Sequence, residues 1–441
     1  MRPGVRWRNP LAVTAPETPE AAGLPARTAA LDLLTAALSR RAGLEEGLSH
    51  PALSTLSPRD RAFARAVVMA TLRHLGPIDQ ALQSRLQKPP PERVVQILRL
   101  AVAQLFVLET PPHAAVSSAV DLAQAHKQSQ AFKGLVNGVL RALLREPPEV
   151  SDPERLAPPW LFARWTAAYG VETARAIAEL IPQEPATDLS LVDPSAAEAV
   201  ASALEGEVLP AGSVRTRRRG DIAAWPGFDE GAWWVQDAAA AIPARLLRLQ
   251  GGQTALDLCA APGGKTLQLA AAGARVTAVD RSAPRLERLK ENLHRMQLSA
   301  EVVVADGAAW NDARAFDAVL LDAPCSATGT FRRHPDVLWA AGPGDIVSLA
   351  GVQSRLLDAA ARRVSPGGAL VYCVCSLEAE EGEAQVQAFL QRTGEFALDS
   401  IAAGEGGSPE GSLRPDGTLR ILPHHLPGGL DGFYVARLRR T

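Results

Sequence analysis

The 441-residue chain predicts two folds in series: a small all-α bundle, then a doubly wound, mainly parallel α/β domain. Three observations carry this. Residues 25–148 hold apolar residues at helical spacing, punctuated by prolines. From Ala244 onward, short β-branched runs alternate with helical stretches. The ends of those runs repeatedly carry Asp or Cys, where sheets of this kind bind their ligands.

Residues 1–24, rich in Pro and Ala, read as a flexible extension. The first helix carries Ala29, Leu31, Leu33, Leu34 and Leu38. Ser57 reads as the N-cap of the next, with Pro58 at its first position. Pro89-Pro90-Pro91 and Pro111-Pro112 separate further helices, and Leu135, Val136, Val139, Leu140 and Leu143 mark the last. Residues 149–243 read as a linker and small α+β subdomain, with helices over Trp160–Tyr169 and Glu172–Ile181. In residues 244–441 the strands read Thr254–Leu258, Arg275–Asp280, Glu301–Ala305, Ala318–Leu321 and Ala369–Val374. The helices between them read Lys265–Ala272, Ala283–Met296 and Ile346–Arg363. The acidic segment Glu378–Glu383 reads as the start of a further helix, beside the thiol of Cys375. Late strands follow, including Gly432–Leu438.

Composition narrows the class. No apolar run is long enough to cross a membrane, and the arginine-bearing N-terminus has no apolar signal region, so a cytoplasmic protein is expected. The four cysteines, Cys259, Cys325, Cys373 and Cys375, lie in one part of the chain without zinc spacing, so neither a metal site nor a disulfide framework is expected. Charge is uneven: residues 1–150 carry 18 Lys and Arg against 12 Asp and Glu, a basic balance suited to a polyanion. Arg215-Thr216-Arg217-Arg218-Arg219 could touch phosphates or be an exposed loop.

Leu256–Thr266 reads as a strand, a glycine-rich turn and a helix start, which lets a ligand approach the backbone closely. One reading is a P-loop. Gly264-Lys265-Thr266 fits its end, but Cys259 stands where its first glycine belongs. The other is the S-adenosylmethionine loop of a Rossmann-like methyltransferase. Later strand ends favour the second. Asp280 ends a strand where a ribose diol would be gripped, and Asp306 ends the next, where a carboxylate could accept from an adenine amino group. Asp322, Cys325 and Cys375 close the following two strands around the same crevice.

The segments Cys259–Thr266, Asp322–Gly329 and Tyr372–Ser376 resemble the Sun family of RNA 5-methylcytosine methyltransferases. Leu56–Phe63, Ile97–Leu100, Pro112–Val116 and Leu135–Arg141 resemble the NusB-like domain that precedes this core in bacterial ribosomal RNA enzymes of the family. The chain departs from that pattern at Asp188-Leu189-Ser190-Leu191, where relatives carry a Leu-Arg-Val-Asn-like strand, and at Cys373 and Val374. The resemblance implies a NusB-like helical RNA-binding bundle followed by a Rossmann-like α/β methyltransferase domain. It implies S-adenosyl-L-methionine as methyl donor and 16S ribosomal RNA as partner; oligomeric state stays open, with nothing in the sequence demanding more than a monomer.

Carbon 5 of cytosine is a poor nucleophile, and a thiolate adding to carbon 6 activates it. By resemblance Cys375 is that nucleophile, Cys325 assists product release and Asp322 contacts the cytosine. The rival assignment gives the attack to Cys325, as in DNA cytosine methyltransferases. The cofactor would be held by Cys259, Ala260, Ala261, Pro262, Gly263, Gly264, Lys265, Asp280, Arg285, Asp306 and Asp322. Lys265 reads as a cation near the cofactor carboxylate or as a plain helix-face residue; Asp257 reads as structural or near the methionine end, and Cys373 has no assigned role. His334, after Arg332-Arg333, could contact RNA or be a loop histidine. A non-catalytic RNA-binding or ribosome-assembly factor and a P-loop ATPase are the alternatives.

Overall fold

Helix starts and stops in the computed structural model follow local chemistry. The structure describes residues 23–39, 53, 55–148 and 152–441, so most of the extension expected over 1–24 lies outside the described residues. The chain divides into two compact units, one formed by residues up to 183 together with 334–341, the other by 184–333 and 342–441.

The first unit contains helices Leu24–Leu38, Pro58–Arg73, Leu75–Gln83, Glu92–Phe106, Pro112–Gln124 and Lys133–Arg145. Ser57 caps the second of these by accepting from the Asp60 amide at 3.1 Å, with Pro58 at its first position. Their apolar stripes meet in one core that includes Leu31, Leu34, Val68, Leu72, Ile97, Val102 and Leu140. Helices Pro159–Tyr169 and Val171–Ala178 follow, broken by Gly170 at φ 85°. Residues 334–341 return from later in the chain to pack on this unit. The indole of Trp339, in the short helix Val337–Ala340, donates to the Leu72 carbonyl at 3.1 Å.

The second unit has two sheets. The smaller is antiparallel in the order β2-β3-β1-β4, with β1 Thr187–Leu191, β2 Glu207–Val208, β3 Val214–Thr216 and β4 Trp233–Val235. The larger has eight strands: β5 Thr254–Leu258, β6 Arg275–Asp280, β7 Glu301–Val304, β8 Phe316–Asp322, β9 Val364–Val374, β10 Phe396–Leu398, β11 Leu419–Ile421 and β12 Phe433–Arg440. Its order is β10-β12-β9-β8-β5-β6-β7, with β11 paired to β12. The five strands β9-β8-β5-β6-β7 are parallel, and β12 runs antiparallel to β9. Buried β-branched and leucine side chains of β5, β6, β8 and β9 form the core, as expected for a parallel sheet covered on both faces. The chain winds outward from β5 in both directions, through β6 to β7 and through β8 to β9. That reversal opens a crevice at the strands' carboxyl ends.

One expected element is displaced. The helix anticipated from Glu378 begins only at Glu383. Residues 375–382 form a loop in which Glu378 and Glu381 are buried, so the Cys375 thiol is not beside a helix N-terminus. Hydrogen-bond donors converging on those carboxylates outweigh the local helical pattern.

Candidate active site

At the end of β5 the chain turns through Cys259, held at φ 64°, and the Cys259 and Ala260 amides donate to the Val279 carbonyl at 2.9 and 3.1 Å. This stitches the turn to β6. Asp280, at the tip of β6, accepts from the Ala261 amide at 3.1 Å and the Ser282 amide at 2.8 Å. The Arg285 guanidinium donates to the Ala261 carbonyl, so it braces the turn. Gly263 has φ 111°, and a side chain there would also press into Leu289, with its first carbon 2.3 Å from Leu289 Cδ1. Pro262 precedes it, and Gly264 opens the helix Gly264–Ala271. Asp306, just after β7, is exposed and accepts from the Ala308 amide at 3.0 Å. Asp257 lies fully buried inside β5, where its Oδ2 accepts from the Thr266 hydroxyl at 2.6 Å. Burial pushes its carboxyl up to about 7.

The neighbouring strands β8 and β9 bring the remaining groups together, with Asp322 in register with Cys373. Lys265 Nζ donates to Asp322 Oδ2 at 2.7 Å, and the Cys373 thiol meets Asp322 Oδ1 at 3.4 Å. Burial works against the Lys265 charge, but Asp322 outweighs it and holds the ammonium protonated. The ammonium also lies 5.4 Å from the centre of the Phe433 ring. The thiols of Cys325 and Cys375 face each other at 3.5 Å. The contact with Cys375, burial, and the charges of Cys375 and Glu381 all push the Cys325 thiol well above its ordinary value. Burial does the same to Cys373 and Cys259. Lys265 therefore spends its charge on Asp322, and Cys373, which had no assigned role, is a partner of the same carboxylate.

Other sequence candidates separate. Arg215 is buried in a two-bond ion pair with Asp188, at 2.7 and 2.8 Å, so it is no phosphate ligand; Arg217, Arg218 and Arg219 stay exposed, the last paired with Glu184. The unusual Asp188 thus has a charge partner on the adjacent strand β3. Arg333 binds Asp237 at 2.7 Å, and the buried Arg332 donates to the Gly428 carbonyl at 2.7 Å. His334 falls in the segment that belongs to the first unit. Sequence reasoning missed Glu381, Ser326, Ser376 and Gln353, a buried polar cluster adjoining both cysteines. Its one signal was an acidic run following an apolar strand.

Sheet order and the chemistry of its strand ends place the second unit among S-adenosylmethionine-dependent methyltransferases. Residues 244–439 match the family 16S rRNA methyltransferase RsmB/F, and residues 24–145 match the NusB family. The chain is 37% identical over 410 residues to ribosomal RNA small subunit methyltransferase B of Cronobacter sakazakii, covering 88% of this chain and 92% of that one. It has the same identity, over the same length and coverage, to the Sodalis glossinidius protein of that name. The chain belongs to the RsmB/F family of 16S rRNA methyltransferases, with a NusB-family region before the catalytic domain. The fold is similar to that of PH0851, with a TM-score of 0.78 at 23% identity over 97% of this chain and 100% of that one. A methyltransferase homolog from Pyrococcus horikoshii follows at TM-score 0.54 and 26% identity, covering 68% and 98% of the two chains. No described helix is long and apolar enough to cross a membrane.

Proposed function

We propose that this protein methylates carbon 5 of a cytosine in 16S ribosomal RNA through a covalent bond between the Cys375 sulfur and carbon 6 of the ring. The observation that carries the reading is the pair of thiols 3.5 Å apart beside a carboxylate–ammonium pair at adjoining strand ends. When bound, S-adenosylmethionine supplies an electrophilic methyl group. The residues present fit it: a glycine turn at a helix start on β5, the Asp280 carboxylate on β6 and the exposed Asp306 carboxylate after β7. In this reading the backbone of residues 259–265 lies along the cofactor, Asp280 accepts from its ribose hydroxyls, Asp306 accepts from its adenine amino group, and Arg285 keeps the turn in shape.

The target base must leave its stack to reach the crevice. Cys375, as thiolate, adds to carbon 6, and the electron pair moves into the ring so that carbon 5 becomes the nucleophile. Asp322 accepts from the exocyclic amino group, and Lys265 holds that carboxylate in place by their ion pair. After methyl transfer the carbon 5 proton passes to a water molecule, the electrons of the carbon–hydrogen bond reform the carbon 5–carbon 6 double bond, and Cys375 departs as thiolate with the electrons of the carbon–sulfur bond. Cys325, held as a neutral thiol, assists that release.

RNA contacts outside the crevice come from the helical unit. A groove of about 650 Å³ between helices Pro112–Gln124 and Lys133–Arg145 is lined by His113, Gln124, Lys133, Asn137 and Arg141, with no acidic side chain.

Cys375→Ala should abolish transfer, whereas Cys325→Ala should accumulate a covalent RNA–protein adduct visible on a denaturing gel. Bisulfite mapping of 16S RNA incubated with the wild-type protein should show one new protected cytosine. Full turnover by Cys375→Ala would sink the assignment, and an adduct formed through Cys325 would reverse the two roles.

A further inference from the structure

Both cysteine loops are tied to a single buried carboxylate. Glu381 is fully buried and accepts four hydrogen bonds: from the Ser326 amide at 2.9 Å, the Ser326 hydroxyl at 2.5 Å, the Ser376 hydroxyl at 2.5 Å and the Gln353 side-chain amide at 3.0 Å. An ionised carboxylate has about four lone-pair positions, so this set satisfies it. Ser326 directly follows Cys325, and Ser376 directly follows Cys375. Gln353 comes from the helix Pro343–Ala361, and its amide also donates to the Pro324 carbonyl at 2.9 Å. The Glu381 main chain is held in turn, its carbonyl accepting from the Tyr372 hydroxyl at 2.6 Å. Three separate segments therefore converge on one side chain that has no access to substrate.

We infer that Glu381 is a positioning residue for the methyl-transfer reaction, fixing the Cys325 and Cys375 thiols at their mutual spacing through Ser326 and Ser376. The inference rests on the cytosine-methylation reading for its catalytic consequence. A buried carboxylate is costly unless its acceptors are filled, so the four donors cannot drift without a large penalty. Because Ser326 gives both its amide and its hydroxyl to the same group, the backbone beside Cys325 is fixed in orientation as well as position. A loop carrying one thiol cannot move while the other stays unless this cluster breaks. Nucleophile and release group are then held as a unit before any substrate binds. The charge on Glu381 also faces Cys325, adding to the contact with Cys375 and to burial in keeping that thiol protonated.

Two variants test this: Glu381→Gln, which keeps the shape but turns one acceptor into a donor facing donors, and the double change Ser326→Ala with Ser376→Ala, which keeps the carboxylate but cuts its hydroxyl links. Phenylarsine oxide, which bridges two close thiols, reports the spacing with no RNA present, and peptide mapping identifies the bridged pair. In folded protein that still binds S-adenosylmethionine, both variants should bridge Cys325 and Cys375 about tenfold more slowly than wild type. They should also lose about a hundredfold in kcat with little change in KM for RNA. Wild-type bridging rates in both variants would overturn the inference, as would kcat within about threefold of wild type. Should Glu381→Gln fail to bind the cofactor, the serine double variant decides by the same two readouts. Bisulfite mapping of the wild-type product is scored separately, so a failure of the cytosine reading is told apart from a failure of the Glu381 role, which the arsenical reads alone.

Discussion

Asp257 is a carboxyl that burial pushes up to about 7, well above the roughly 3.9 expected for an unfolded chain. The folded protein therefore holds this proton more tightly than the unfolded one, and stability should fall as pH rises from about 4 to 7. Asp257→Asn removes that slope while keeping an acceptor for Thr266. Urea melts of the two proteins should diverge in favour of the variant as pH rises, by as much as about 4 kcal/mol. A gap that stays constant with pH would show that the buried carboxyl does not titrate this way. Lys265 is open to an equally direct test. If its charge serves Asp322, Lys265→Met should lower single-turnover methyl transfer about a hundredfold and leave S-adenosylmethionine affinity nearly unchanged. A cofactor-carboxylate role would show the opposite split. That Cys325, Cys375 and Asp322 lie together at adjoining strand ends was legible in the sequence from their joint position after successive apolar runs, although any one of them alone reads equally well as a core thiol or a helix cap. Glu381 was not, because a run of acidic residues most often marks a solvated helix start. Only the fold reveals the four donors that bury it.

At the scale of elements, the strands were read to within two residues for β5, β6, β7 and β8, since a parallel sheet demands unbroken apolar runs. β9 reaches back to a single Val364–Phe316 pair, but Ser365, Pro366, Gly367 and Gly368 bulge out of the ladder as their turn chemistry dictates, and continuous pairing with β8 begins at Ala369, where the sequence places the strand. The helices were legible where prolines and an N-cap serine marked them. A less visible constraint is the crossing of the loop after β8 with the one before β12. The Gly329 amide donates to the Cys375 carbonyl at 3.0 Å, and the Gly432 amide donates to the Gly329 carbonyl at 2.8 Å. A methyl group on Gly329 would fall 2.1 Å from the Gly432 carbonyl oxygen, backbone against backbone. Gly329→Ala should cost about 3 kcal/mol in urea denaturation and displace the Cys325 loop, with methylation falling in parallel. Unchanged stability would mean the crossing has slack that its geometry does not show.

For the molecule as a whole, charge is distributed unevenly along the chain. The net charge of −2 conceals a basic first third, and RNA affinity should depend steeply on salt. Lys133→Ala combined with Arg141→Ala should weaken 16S RNA binding at all sites alike and reduce the slope of log affinity against log salt by about two. Filter binding over a salt series measures this, and an unchanged slope would remove the groove from the RNA surface. The return of residues 334–341 to the helical unit matters for the order in which the protein is made. When Gln183 has left the ribosome, the unit still lacks Trp339, whose indole donates to Leu72. At a synthesis rate of 5–20 residues per second that indole arrives roughly 8–30 s later. Through that interval the nascent bundle waits with one carbonyl uncovered, and its completion is timed by the emergence of the loop beyond Cys325.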